Sequence, residues 1–445
     1  MREFYTLCKT VVPFFLYTVI IKIYCSGIGG IGLSAYAALQ AQCGHSVAGS
    51  DRAESATIAD LRSQGIVVHL SQDGSAMEKD IELFVFSEAV PVDSPERVKA
   101  KKLGIRSVSY FQALGELSKD YFVIAVCGTH GKSSTTAMAA RVLMDTGKDP
   151  TVVVGTKMSE LGGRNWRKGG SDIFLVEACE YRKSFHFISP DIVLMTNVDG
   201  DHFDAFDSIE EYREAFVEFL KRLPVDGPVI THGSDNDCMK VAIKSQKIII
   251  DADAFSLVSL QTPGEHMRQN ARLVSALASS LKIDESAAVQ SLSGFTGTWR
   301  RMEVKGTMQN GAIVIDDYGH HPVEIRATLG AIKEKYPHRR IVCVFQPHTH
   351  DRTRVLYKEF TEAFTNADVV IIPNIYVARS DIEKGSVDVS QFVNDIRKES
   401  RVDALCGHDF TATEAILRET VVRADDVVIT MGAGDITALS DRLLR

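Results

Sequence analysis

YFVIAVCGTHGKSSTTAMAARVLMD, residues 121–145, decides the fold. An apolar run, Phe122 to Cys127, reads as a buried strand, and Ala137, Ala140, Leu143 and Met144 recur at helical spacing further on. Between them lie Gly128, Thr129, His130, Gly131, Lys132, Ser133 and Ser134. Strand, glycine loop and helix in this order make a phosphate-binding loop. The glycines let the chain wrap phosphates, Lys132 can reach the β- and γ-phosphates, and the Ser133 hydroxyl can ligand magnesium. The motif is the short form GTxGK[ST], because Val126 stands where the longer form has its first glycine.

Working outward, apolar runs alternate with helical periodicity along almost the whole chain, which predicts an α/β protein built on parallel sheets. The runs fall into three series. The first comprises 21–27, 46–51 and 81–87, the second 121–128, 172–178 and 191–197, and the third 312–318, 340–348, 368–374 and 425–436. Each series predicts its own doubly wound, mainly parallel domain: a Rossmann-like domain over 1–119, the phosphate-loop domain over 120–298, and a second Rossmann-like domain over 299–445. Such sheets bind ligands beyond the carboxyl ends of their strands, so the loops there hold the candidate site residues.

In the first series Gly27, Gly29, Gly30 and Gly32 form a GxGxxG turn opening a helix, and Asp51 ends the next strand. This arrangement suits a diphosphate; taken alone it favours a NAD-dependent oxidoreductase. In the second series Glu177 ends a strand, with Glu180 close behind. The next strand runs into Asp199, Asp201, His202 and Asp204. Magnesium prefers oxygen ligands, so Ser133 and Glu177 suit it, directly or through water, and His202 could ligand a second, softer or partly dehydrated site; manganese is an alternative. Asp199, Asp201 and Asp204 read equally well as a solvated acidic turn. Lys132, Glu177 and His202 are the catalytic candidates. In the third series Asp317, Tyr318, His320 and His321 follow one strand, and His348, Arg352 and Arg354 follow another. An arginine fork holds a carboxylate with two parallel hydrogen bonds, and Arg352 is the preferred ligand. Because Pro322 opens a helix, His320 and His321 serve equally well as braces of that turn.

Composition narrows the function further. A chain of 445 residues with 45% hydrophobic and 24% charged residues can bury several cores. Its 50 Lys and Arg against 58 Asp and Glu give −8, with no electrostatic footprint for nucleic acid or an anionic membrane. Eight cysteines, at 8, 25, 43, 127, 179, 238, 343 and 406, include no CxxC pair, which fits a reducing, cytoplasmic compartment. The apolar run Val11 to Ile21 is shorter than the ~20 residues of a membrane helix and predicts an N-terminal extension beside the first domain, with a membrane-associating segment as the alternative and no stable membrane insertion.

GTHGKSS, EACEY, TNVDGDHFD, GEHMRQNA at 264–271, RRME at 300–303, DDYGHHPVEIRATL at 316–329, FQPHTHDRTR at 345–354 and the terminal GAGDI occur together and in order. In this the chain, over about residues 22–445, resembles the Mur ligase family. The resemblance implies ATP-dependent amide-bond formation through an acyl phosphate, with magnesium, in peptidoglycan precursor synthesis. It places a UDP-sugar in the first domain at Gly27, Gly29, Gly30, Gly32, Asp51 and Ser87. ATP would sit in the second, at residues 128–134 with His266, Asn270 and Arg301. The incoming amino acid would lie on the third, at Asp317, Tyr318, His320, His321, His348, Arg352 and Arg354. DYGHHP with QPH and RTR looks like the branch that adds L-alanine to UDP-N-acetylmuramate; a branch that attaches a recycled tripeptide shares the first half of the pattern. Met267 stands where the family pattern has asparagine, and Thr349 where some members have arginine. Oligomeric state, and the choice among L-alanine, glycine and L-serine, stay open.

Overall fold

The structure, a computed structural model, describes residues 20–200, 205–377 and 386–445. Most of the expected N-terminal extension, and Asp201, His202 and Asp204, lie outside the described residues. The chain forms two compact units, one through Leu114 and one over Gly115–Arg445.

The first unit holds a five-stranded sheet, all parallel, in the order Val67–His69, Ser46–Ser50, Lys22–Ser26, Leu83–Phe86, Arg106–Ser109. The second unit holds two sheets. One has seven strands, ordered Ile248–Asp251, Pro228–Thr231, Ile192–Met195, Phe122–Cys127, Ile173–Glu177, Thr151–Met158, Arg164–Arg167, and only its last pair is antiparallel. The other has six, ordered Glu303–Thr307, Ile313–Asp317, Val427–Met431, Ile341–Phe345, Val369–Ile372, Asp403–Cys406, with only the first pair antiparallel. Three α/β domains with mainly parallel sheets are therefore present. The apolar runs of the sequence fall on the inner strands, where helices cover both faces.

Helix packing decides where the phosphate loop points. Helix Lys132–Asp145 buries Ala139, Val142 and Leu143 in a core shared with Leu273 and Leu277 of helix Glu265–Ser280. In the latter, Met267, Ala271, Val274 and Ala278 follow one another at steps of four and three, the spacing of a single buried stripe. Met267, the departure from the family pattern, is thereby a core residue, 3% exposed.

One buried cation ties the six-stranded sheet together. Arg300, 4% exposed, donates from Nε to Asp316 Oδ2 at 3.0 Å, from Nη1 to the Gly434 carbonyl at 3.2 Å and from Nη2 to the Gly432 carbonyl at 2.5 Å. The segments RRME, DDYGHHP and GAGDI thus meet at a single guanidinium.

Candidate active site

Three adjacent strand ends build the site. Phe122–Cys127 lies between Ile192–Met195 and Ile173–Glu177, so its loop emerges between Thr196-Asn197 and Glu177. Gly128 and Gly131 have φ of +139° and +80°, backbone conformations an L side chain rarely adopts. Neighbours clamp the loop between them: the Thr129 and His130 N–H groups donate to the Asn197 carbonyl and side-chain oxygen at 3.1 and 2.8 Å, and Thr196 Oγ1 donates to the His130 carbonyl at 2.6 Å.

Lys132 is folded down onto its own loop. Its Nζ donates to the Gly128 and Thr129 carbonyls at 2.6 and 2.9 Å and to Glu180 Oε1 at 3.0 Å. Burial by itself would pull the ammonium pKa down, but Glu180, Cys179 and Glu177 outweigh it and raise it, so the amine keeps its charge. Ser133 Oγ donates to Glu177 Oε1 at 3.0 Å, and the Gly155 N–H donates to Glu177 Oε2 at 2.7 Å. A Cβ on Gly155 would lie 2.7 Å from both Glu177 oxygens. Gly155→Ala should therefore push Glu177 off Ser133 and lower the rate of any phosphoryl transfer at this loop about tenfold while leaving the melting temperature near that of the parent, since only a side-chain end must move; an unchanged rate would rule this out.

Ser133 and Glu177 offer hard oxygen donors side by side, the donor chemistry magnesium takes. Among the described residues no group of three His, Cys, Asp or Glu is arranged to hold a metal, and His202, the candidate ligand of a second site, is outside them.

In front of the loop is a cavity of about 140 Å³ whose walls come from both sheets of the second unit. His130, Gly131, Ser134, His266 and Asn270 line one side, and Arg301, Asp317 and Glu324 the other. The Asn270 amide packs directly over Gly131, where a Cβ would meet its Oδ1 at 2.8 Å. Burial first, then Arg301, lowers the His266 pKa to about 4, leaving a neutral imidazole. Asp317 belongs to this cavity and is internally satisfied: its oxygens accept from Met302 N at 2.8 Å and Gly319 N at 2.7 Å.

The remaining third-domain candidates separate into two places. His321 turns toward the phosphate loop, its ring 4.7 Å from that of His130, and its Nδ1 accepts from Val323 N at the start of helix Pro322–Lys335. Tyr318, His320 and His348 form a row of rings continued by Tyr376, with centroids 5.4, 5.9 and 5.3 Å apart. Thr349, at φ +68° and ψ 143°, is held in this strained conformation by Tyr376 O, which accepts its N–H at 2.9 Å, and caps the short helix His350–Val355 carrying Arg352. Arg354 points outward to Asp351.

In the first unit the glycine turn is internally bonded. Gly27 and Ile28 donate to Ser50 O, Gly29 to Asp51 Oδ2 at 2.8 Å, and Gly30 to Gly27 O. The sequence reading expects those N–H groups to face a diphosphate; here Gly29 alone meets an anion, Asp51, at the start of helix Ile31–Gln42, and the others meet backbone carbonyls. Ser87 flanks Gly27, its Cβ 3.0 Å from where a Gly27 Cβ would stand.

Glu180 was read as lying near the loop but given no role, and Glu324, Asn197 and Tyr376 were not among the candidates read from sequence. For Glu324 a signal existed: it stands three residues after His321, the spacing of a capping box.

Three family models match the chain in succession. Residues 22–122 match the Mur ligase family catalytic domain, 126–257 the Mur ligase middle domain, and 300–434 the Mur ligase, glutamate ligase domain. The chain is 36% identical to a UDP-N-acetylmuramate–L-alanine ligase of Clostridium kluyveri, over 95% of this chain and 98% of that protein. Against the protein of that name from Alkaliphilus metalliredigens it is 37% identical, over 95% and 96%. A solved UDP-N-acetylmuramate-alanine ligase of Thermotoga maritima superposes with a TM-score of 0.78 at 28% identity, over 95% of this chain and 98% of that one. A murein peptide ligase of Psychrobacter arcticus, at 21% identity and a TM-score of 0.72, shares the fold over 95% and 98%.

Proposed function

The chain belongs to the Mur ligase family, and from that we propose that it is a cytoplasmic enzyme joining L-alanine to the lactyl carboxylate of UDP-N-acetylmuramate, with ATP cleaved to ADP and phosphate. The observation that carries the reading is the cavity in front of the phosphate loop, walled on its far side by Arg301, Asp317 and Glu324 of the third domain. We place the domain boundaries near residues 119 and 298, the UDP-sugar on the first domain around Gly27 to Gly32 with Asp51 and Ser87, and L-alanine near Tyr318, His320, His348 and Arg352.

A carboxylate does not acylate an amine, because its leaving group would be oxide. In the proposed reaction a lactyl oxygen attacks the γ-phosphorus, the bond to the β-bridging oxygen breaks, and ADP leaves. The alanine nitrogen then attacks the acyl carbon, loses a proton, and phosphate departs with the lactyl oxygen. Lys132 must leave the Gly128 and Thr129 carbonyls to meet the phosphates, and there it stabilises charge on the transferring group. Ser133 and Glu177 would hold magnesium, His202 would serve a second, softer metal site, and the magnesium ion when bound would neutralise phosphate charge. Asn270 and neutral His266 line the nucleoside end. Arg352 would take the alanine carboxylate as a fork.

Phosphate release from purified protein with ATP, UDP-N-acetylmuramate and each amino donor tests the assignment. Free L-alanine should give turnover well above L-alanyl-γ-D-glutamyl-diaminopimelate. Turnover with the tripeptide alone would move the chain to the recycling branch, and NAD binding without any phosphate release would reject ligation.

A further inference from the structure

His130 sits in the phosphate loop and Glu324 in helix Pro322–Lys335, 194 residues later, yet His130 Nδ1 is 3.2 Å from Glu324 Oε1. Neither partner is free to wander. The second Glu324 oxygen accepts from His320 N at 2.9 Å and His321 N at 3.2 Å, so the carboxylate is locked at its helix start. The His130 backbone is clamped by Thr196 and Asn197, and its ring lies against His321. Burial pushes the Glu324 carboxyl pKa up, but His320, His130 and Arg301 outweigh it and hold it well below the ordinary range, so the carboxylate is charged.

With Nδ1 so engaged, only Nε2 remains, and it is buried without a hydrogen-bond partner among the described residues. A buried polar atom left in this way is destabilising unless a ligand completes it. Both side chains line the cavity in front of the loop.

We propose that Glu324 is a positioning residue acting across the two sheets of the second unit: by accepting the His130 Nδ1–H it orients the ring and leaves Nε2 as a lone-pair acceptor for a hydroxyl or amino hydrogen of the bound nucleotide. The third domain thereby supplies a working part of the ATP site, through a residue that need not touch ATP. This rests on the ATP reading above, but not on which amino acid is joined.

A double-mutant cycle on ATP affinity, read by calorimetry with magnesium, tests it without any turnover, so failure of ligation with L-alanine leaves the result interpretable. His130→Ala and Glu324→Gln should each weaken ATP binding about tenfold, and the double variant no more than twofold beyond the weaker single, because the glutamine amide donates to Nδ1, turns Nε2 from acceptor into donor and so loses the same contact that His130→Ala removes. Glu324→Gln keeps an oxygen for the two backbone N–H groups and should melt near the parent. In the ligation assay it should raise the KM for ATP while the KM for UDP-N-acetylmuramate stays level, a split that loss of a helix cap would not produce. Losses that multiply in the double variant, or unchanged ATP binding in His130→Ala, overturn the proposal. If Glu324→Gln melts early, Glu324→Asp, too short to serve both ends, replaces it in the same cycle.

Discussion

Lys132→Ala lowers the ligation rate by about 10² to 10³, the loss expected when a preorganised cation is taken from a developing charge. The Lys132 amine is the group of the phosphate loop that can travel from its resting acceptors to the transferring phosphate. The substitution also takes an ammonium away from Glu180, a residue 1% exposed, so a loss of stability accompanies the loss of rate. The two effects separate in one further variant. Lys132→Ala with Glu180→Gln should recover the melting temperature and recover none of the rate, measured as phosphate release at saturating substrates. A variant with Lys132→Ala that ligates within fivefold of the parent would remove the lysine from the mechanism.

Arg300→Ala should destabilise the protein by ~3–5 kcal/mol, the range for breaking a buried ion pair from one side. Asp316, wholly buried, would be left with Thr430 Oγ1 at 3.0 Å as its remaining side-chain donor, and the Gly432 and Gly434 carbonyls would lose theirs. Urea unfolding of both forms measures the difference. Adding Asp316→Asn removes the stranded charge and should restore part of the loss. A midpoint within experimental error of the parent would show that the guanidinium contributes nothing net.

Most inner strands were legible because they are apolar on both faces: VVITM at 427–431 and IVCVF at 341–345 admit few other readings, whereas the inner strands Thr151–Met158 and Pro228–Thr231 were not read. Nor were the edge strands. RNWR at 164–167 and EVKGT at 303–307 carry charge and glycine, and their antiparallel pairing depends on a neighbour rather than on local pattern. The phosphate loop was readable because its chemistry is contiguous. Glu180, 48 residues beyond Lys132, and Glu324, 194 beyond His130, take their meaning from contacts that no spacing rule encodes. Gly155 was hidden for a related reason: within VVVGT it looks like a weak point in a strand, and only the Glu177 carboxylate lying against it accounts for the missing side chain.

In the ATP reading proposed above, the cavity walled by two sheets makes the nucleotide a mass-action brace. A ligand that binds the folded state alone adds about 2.7 kcal/mol at a hundred times its dissociation constant. Because the walls come from both sheets, that increment is felt by both, and opening either one forfeits it. Proteolysis, which samples open forms, would therefore act on the second unit chiefly when the adenylate pool falls.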